Sequence, residues 1–229
     1  MIKAVIFDLD DTLISERKYI ESGYHYISNL LSLKLQISEK ELYRLLVELF
    51  NQSSVNVFNR LFDTLQIAYT KNEILELVEH YRNHLPSIDF FDDVVPCLIN
   101  LKKRGLKVGI ITDGYANSQY KKLDAVKAFD YFDEIIVTDE LGREYWKPHP
   151  KAFEIMKERM NFEFDEMIYV GDNPKKDFYI NSIYPIRTVR IAREYSIYKY
   201  ELYYENIRES LKVTSLLDLN KLIQNDVGE

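Results

Sequence analysis

The chain has 229 residues with a formal net charge of −7. That length suits one large domain, or a domain with a substantial insert, and the acidic balance argues against a broad phosphate-neutralising surface, so no nucleic-acid partner is expected. No apolar run approaches the roughly 18 residues that a membrane span requires; Cys97 is the only cysteine, which excludes an internal disulfide, and with no signal-peptide pattern at Met1-Ile2-Lys3 a cytoplasmic location is expected.

In chain order, Ala4–Phe7 reads as a buried strand that ends in Asp8-Leu9-Asp10-Asp11-Thr12. Side chains alternate along an extended chain, so Asp8 and Asp10 project to one side. Two converging acids repel each other unless a cation, a proton or chemistry relieves them. Residues 15–86 then carry no strand signal. Helical patterning near 16–33, 39–51, 54–67 and 71–84 predicts an all-helical insert, with a capping-box pattern at Ser38-Glu39-Lys40-Glu41. Pro86 and the acidic stretch 89–93 mark the return of the chain.

From there strands and helices alternate. Val108–Ile111, Ile135–Val137, Met167–Val170 and Thr188–Ile191 read as strands, and Val94–Lys103, Ser118–Phe129 and Ala152–Met160 as helices. This rhythm predicts an α/β fold, a Rossmann-like parallel sheet with helices on both faces and an inserted all-helical cap domain. The core is assigned to residues 1–14 and 87–229, the cap to 15–86. A short strand near Leu211–Val213 and a helix over Leu216–Ile223 close the chain, and Tyr195–Tyr204 offers either internal packing or an interface. A monomer or a weak homodimer is expected.

Four polar stations stand out: Asp8-Leu9-Asp10-Asp11-Thr12; Thr112-Asp113-Gly114 after a strand; Lys147-Pro148 opening a helix; and Gly171-Asp172-Asn173-Pro174-Lys175-Lys176-Asp177 after another strand. In this order and context the chain resembles the haloacid dehalogenase superfamily, specifically its phosphatases with a helical cap inserted after the first station. The resemblance spans Ile2 to about Ile191.

The resemblance implies Mg²⁺-dependent hydrolysis of a small phosphorylated metabolite through an aspartyl-phosphate. Asp8 is then the nucleophile and Asp10 the general acid and base, whose presence disfavours a dehalogenase. Mg²⁺ is held by Asp8, by the backbone carbonyl of Asp10 and by Asp172, with Asp177 among or beside the ligands. Thr112, the N–H groups of Asp113 and Gly114, and Lys147 bind the phosphoryl oxygens. A phosphomutase acting on a sugar phosphate and a non-enzymatic binding protein on the same scaffold stay open as alternatives.

The remaining polar residues carry plainer readings. Asp11 braces the turn, and Thr12 bonds within the loop. His149 starts a helix, and Lys175 and Lys176 are solvated at the opening of another. Asn173 is balanced between a contact to the metal site and none. Cys97 belongs to the core. Arg17, Tyr24, His25 and Arg60 read as surface or interior residues of the insert ahead of substrate contacts.

Overall fold

The computed structural model describes residues 1–224. Six parallel strands form one sheet in the order β3-β2-β1-β4-β5-β6: β1 Ala4–Phe7, β2 Lys107–Thr112, β3 Glu134–Val137, β4 Met167–Gly171, β5 Arg187–Ile191 and β6 Leu211–Val213. The central strand β1 is apolar along its length and wholly buried, as befits a strand covered on both faces. One face packs Ala4 and Ile6 with Ile111, Phe153, Met156 and Tyr169. Strand order reverses across β1, where β2 lies on one side and β4 on the other, so their carboxyl ends frame the crevice in which such sheets bind ligands.

The chain divides into two compact units, Arg17–Ser87 and the remainder. The smaller unit consists of α1 (Glu16–Leu35, its first residue in the larger unit), α2 (Glu39–Gln52), α3 (Val57–Thr64) and α4 (Lys71–Asn83). Its interior joins aliphatic side chains, Leu42, Leu46 and Leu61 among them, to a cluster of rings. Tyr24 packs against Phe50, Phe58 and Tyr81 with ring centroids 6.0, 6.3 and 5.9 Å away. At Ser38 only half of the expected capping box forms among the described residues, the side chain accepting from the N–H of Glu41. The complete box sits at α4, between Thr70 and Glu73, where the glutamate reaches back to the Thr70 N–H at 2.9 Å.

In the larger unit α5 (Val94–Lys103), α6 (Ala116–Ala125) and α7 (Lys151–Met160) connect the strands, and α8 (Leu219–Gln224) follows β6. Helix α6 is shorter than its pattern predicts: the chain turns at Lys127 in a left-handed conformation (φ 53°) and continues as a single 3₁₀ turn. The expected final helix likewise begins as a 3₁₀ turn, Leu216–Asp218. Residues Pro174–Lys176 form a turn and not the start of a helix. No helix among the described residues is long and apolar enough to cross a membrane.

Candidate active site

The carboxyl ends of β1, β2 and β4 surround a cleft of about 270 Å³, lined among others by Asp8, Asp10, Asp113, Gly114, Lys147, Asp172 and Asp177. Its centre is Lys147. The ammonium, almost wholly buried, donates to Asp8 Oδ1 at 2.6 Å, Asp177 Oδ1 at 2.8 Å and the Tyr169 hydroxyl at 2.8 Å. Burial would strip the proton from an isolated lysine, but these acids hold its pKa well above the usual value.

The acids are the less satisfied partners. Burial, opposed by Lys147, pushes the Asp8 carboxyl up to about 7, with Asp177 adding repulsion. Burial and the charges of Asp177 and Asp8 raise that of Asp172 as well. One lysine thus faces three buried carboxylates whose oxygens lie within 4.8 Å of one another. The donors are all hard oxygens, and their residual repulsion is what a divalent cation such as Mg²⁺ relieves, so the residues fit that ion. Lys147 occupies Oδ1 of Asp8 and Ser196 occupies Oδ2 of Asp172 at 2.6 Å, leaving the second oxygen of each for a cation. Asp177 is more fully engaged: Oδ1 serves Lys147 and Tyr169, and Oδ2 accepts from the Asn173 N–H at 2.8 Å. Its Oδ1 thereby fixes the Lys147 ammonium. Gly171 is required here, because a Cβ at that position would collide with the Asp177 carboxylate.

Asp10 also lines the cleft, its two oxygens gripped by Lys122 at 2.8 and 2.7 Å. Sequence reasoning missed Lys122. It lies on α6 in a Lys-Lys pair that reads as solvated, yet its side chain is only 4% exposed. The available signal was position: Ser118, Gln119, Lys122 and Leu123 form one helical stripe, and that stripe faces inward. Glu16 and Tyr198 also line the cleft unforeseen.

The second station differs from its reading in one respect. Thr112 is buried at the tip of β2 and is not among the residues lining the cleft; its hydroxyl donates to Gln119 Oε1 at 3.0 Å. Asp113 and Gly114 do line the cleft. Asp113 Oδ1 accepts from the Thr138 hydroxyl at 2.7 Å and the Lys147 N–H at 3.1 Å, so it ties the β2 tip to the Lys147 loop. Gly114 adopts φ +136°, and a Cβ there would strike the Gln119 amide, so glycine alone suits the position.

Asp11, at φ 51°, braces the turn by accepting from the Glu16 N–H at 2.9 Å and the Ile197 N–H at 2.8 Å. Two expectations are corrected. The Thr12 hydroxyl is buried with no hydrogen-bond partner among the described residues, so it does not bond within the loop. Lys176 is not simply solvated: it pairs with Asp113 at 3.1 Å and lies over the Trp146 ring, while Lys175 pairs with Glu201. Asn173 reaches the cleft wall, its Oδ1 accepting from the Lys175 N–H. His149 accepts from the Lys151 N–H at the start of α7.

Within the helical unit the four candidate contributors are occupied internally. Arg17 pairs with Glu21, His25 stacks on Tyr43, Arg60 donates to the Leu49 and Ser53 carbonyls, and Tyr24 belongs to the aromatic interior. In the tyrosine-rich stretch Tyr198 and Tyr203 pack inward, while Tyr195 and Tyr200 are exposed.

Comparison with known proteins agrees with this geometry. A family model described as haloacid dehalogenase-like hydrolase matches residues 5–181. The chain is 33% identical over 201 residues to a glyceraldehyde 3-phosphate phosphatase of Methanopyrus kandleri, covering 84% of this chain and 85% of that protein. It is 29% identical over 231 residues to a protein of the same name from Methanocaldococcus jannaschii, covering 98% of each. Among solved structures, the crystal structure of a HAD phosphatase from Thermococcus onnurineus superposes with a TM-score of 0.62 at 28% identity, covering 97% of this chain and 98% of that one.

Proposed function

Starting from a chain that belongs to the haloacid dehalogenase-like hydrolases and is a phosphatase-type hydrolase among them, we propose that it hydrolyses a small phosphomonoester by attack of Asp8 on phosphorus. The observation that carries this reading is Lys147 seated between Asp8 and Asp177, with Asp172 beside them, at the adjoining tips of β1 and β4.

An Asp8 oxygen forms the new bond to phosphorus as the ester P–O bond breaks, and the departing alkoxide takes a proton from Asp10. Water then attacks the aspartyl-phosphate, Asp10 recovers a proton from it, and phosphate leaves with Asp8 regenerated. Lys122 holds the Asp10 carboxyl toward the cleft for both transfers. Lys147 offsets charge on Asp8 and on the phosphoryl oxygens, and the N–H groups of Asp113 and Gly114 donate to those oxygens. Thr112 joins them once its hydroxyl redirects its hydrogen bond from Gln119 Oε1 to a phosphoryl oxygen. Asp8, Asp172 and the Asp10 carbonyl would hold Mg²⁺, which would supply further charge neutralisation; Asp177 keeps Lys147 in place. The helical unit is read as the cap domain, the source of substrate selection.

The cleft volume of about 270 Å³ lies below the usual range for drug-sized ligands and favours a short phosphate ester. Two of the relatives are named for glyceraldehyde 3-phosphate, which makes triose phosphates the first substrates to try. The test is phosphate release from an aryl phosphate and from glyceraldehyde 3-phosphate by the wild type and Asp8→Asn. Loss of both activities in the variant supports the reading. Undiminished turnover removes Asp8 from its role, and isomerisation of a sugar phosphate without phosphate release would replace hydrolysis by a mutase reaction.

A further inference from the structure

The segment that follows β5 is tied to both acid-bearing loops. Arg193 donates to the Thr12 carbonyl through Nη2 at 2.8 Å and Nε at 3.3 Å. The same guanidinium grips Asp93 with both terminal nitrogens, at 2.8 and 2.9 Å, and lies 4.2 Å from the Phe91 ring centroid. Four residues on, the Ile197 N–H donates to Asp11 Oδ2 at 2.8 Å. Between these anchors, Ser196 Oγ donates to Asp172 Oδ2 at 2.6 Å while accepting from the Tyr198 N–H at 3.1 Å.

The geometry at Ser196 is directional. A hydroxyl has one proton and two lone pairs. Accepting the Tyr198 N–H commits a lone pair and turns the proton toward Asp172. Asp172 stands beside two other buried carboxylates, which repel it, so a fixed donor is what selects one side-chain orientation over its alternatives. Arg193 and the Ile197 N–H meanwhile fasten the loop that carries Asp8 and Asp10 to the same six-residue stretch. The loops after β1 and β4 therefore share one brace.

We infer that Arg193–Tyr198 is a strap that positions the divalent-cation site: Ser196 sets the Asp172 carboxylate for metal binding, and Arg193 with the Ile197 N–H keeps the Asp8–Asp10 loop in register with it. This rests on the proposed function through its assignment of Asp172 as a ligand. Ser196 and Arg193 are positioning residues, since neither faces the reacting atoms. Partners of this kind orient ligating carboxylates, and their removal typically weakens metal binding by about 10–100-fold.

Trp146 is the sole tryptophan and lines the cleft, so its fluorescence reports occupancy. Titrating MgCl₂ into the whole protein, with calorimetry as a second readout, is the test. Ser196→Ala and Ser196→Cys, which lose the strong donor, should raise the Kd for Mg²⁺ by about 10–100-fold, whereas Ser196→Thr should stay within about threefold of the wild type. At saturating Mg²⁺ the alanine variant should recover most of its kcat with little change in KM. Wild-type affinity in the alanine and cysteine variants overturns the inference and leaves the phosphatase reading intact, as does a threonine variant as weak as alanine. A wild-type protein that hydrolyses phosphate esters yet binds no Mg²⁺ overturns the metal assignment and the strap's role together.

Discussion

The two units of this chain use their interiors differently. The α/β unit buries Asp8, Asp11, Lys122, Lys147, Asp172 and Asp177, whereas in the helical unit Ser28 and His84 are the buried polar residues among those described. The helical interior is instead apolar, built on Leu42, Leu46 and Leu61 with rings packed around Tyr24. Burying apolar surface stabilises a fold without any pairing of charges. Burying charge opposes stability unless every group finds a partner, and mutual repulsion among carboxylates is retained where chemistry uses it. The contrast gathers the buried charge in one unit and leaves the other an apolar interior, and substitutions in each should fail in different ways.

The sharpest failure is expected at Asp8, the proposed nucleophile. Asp8→Asn should lower phosphate release by about 10⁴-fold or more, measured as kcat on an aryl phosphate, while removing one of the repelling carboxylates leaves the fold at least as stable. Lys147→Met should fail on both counts. Turnover falls by about 10²–10³-fold, and the stranded acids cost about 3–5 kcal/mol in urea unfolding. In the helical unit Tyr24→Ala should lower stability by about 3–5 kcal/mol, with turnover per folded molecule changed less than about tenfold; a larger catalytic loss would break the contrast. Lys122→Met should cost about 10²-fold in kcat through the loss of Asp10's placement, a proton-transfer effect at the low end of its usual range.

The smallest effect concerns pH. Burial of Asp93 would raise its pKa, but hydrogen bonds from Arg193 and from the Leu216 N–H outweigh it and hold the value below the ordinary 3.8. A depressed native value stabilises the fold above pH 3.8 and is lost as pH falls through it. The wild type should therefore lose part of its stability in urea titrations between about pH 5 and about pH 2, and Asp93→Asn should show a flatter acid limb.

What the sequence disclosed followed from local pattern. Ala4–Phe7 and Met167–Gly171 are apolar, each followed by an acid and buried through tertiary cover on both faces, so strand and site were legible together. What it concealed depends on distant partners. Lys122 meets Asp10 across 112 positions of chain, and no periodicity reports such a pairing. Ser196 lies in a stretch without regular structure, so its contact with Asp172 had no pattern to announce it. Thr112 was placed at the correct strand tip, but the direction of its hydroxyl is decided by Gln119, a side chain one helix away. At Ser38 the residues of a full capping box are present and only half forms, which shows that a pattern licenses a contact without compelling it.

One feature of the larger unit bears on how such a chain came to be. Ile14 pairs with Phe90 in an antiparallel bridge, and the Phe91 N–H donates to the Leu13 carbonyl at 2.9 Å. Opposed residues in such a pair stand about 5 Å apart. The helical segment is thus a parenthesis in the polypeptide, opened and closed at nearly the same point. A tight turn could bridge that gap, so excision, enlargement or exchange of whatever lies between the brackets is expected to leave the register of the sheet unchanged. Lineages can therefore diversify at this junction without renegotiating the catalytic scaffold, and a laboratory graft of a foreign insert would begin at the same two residues.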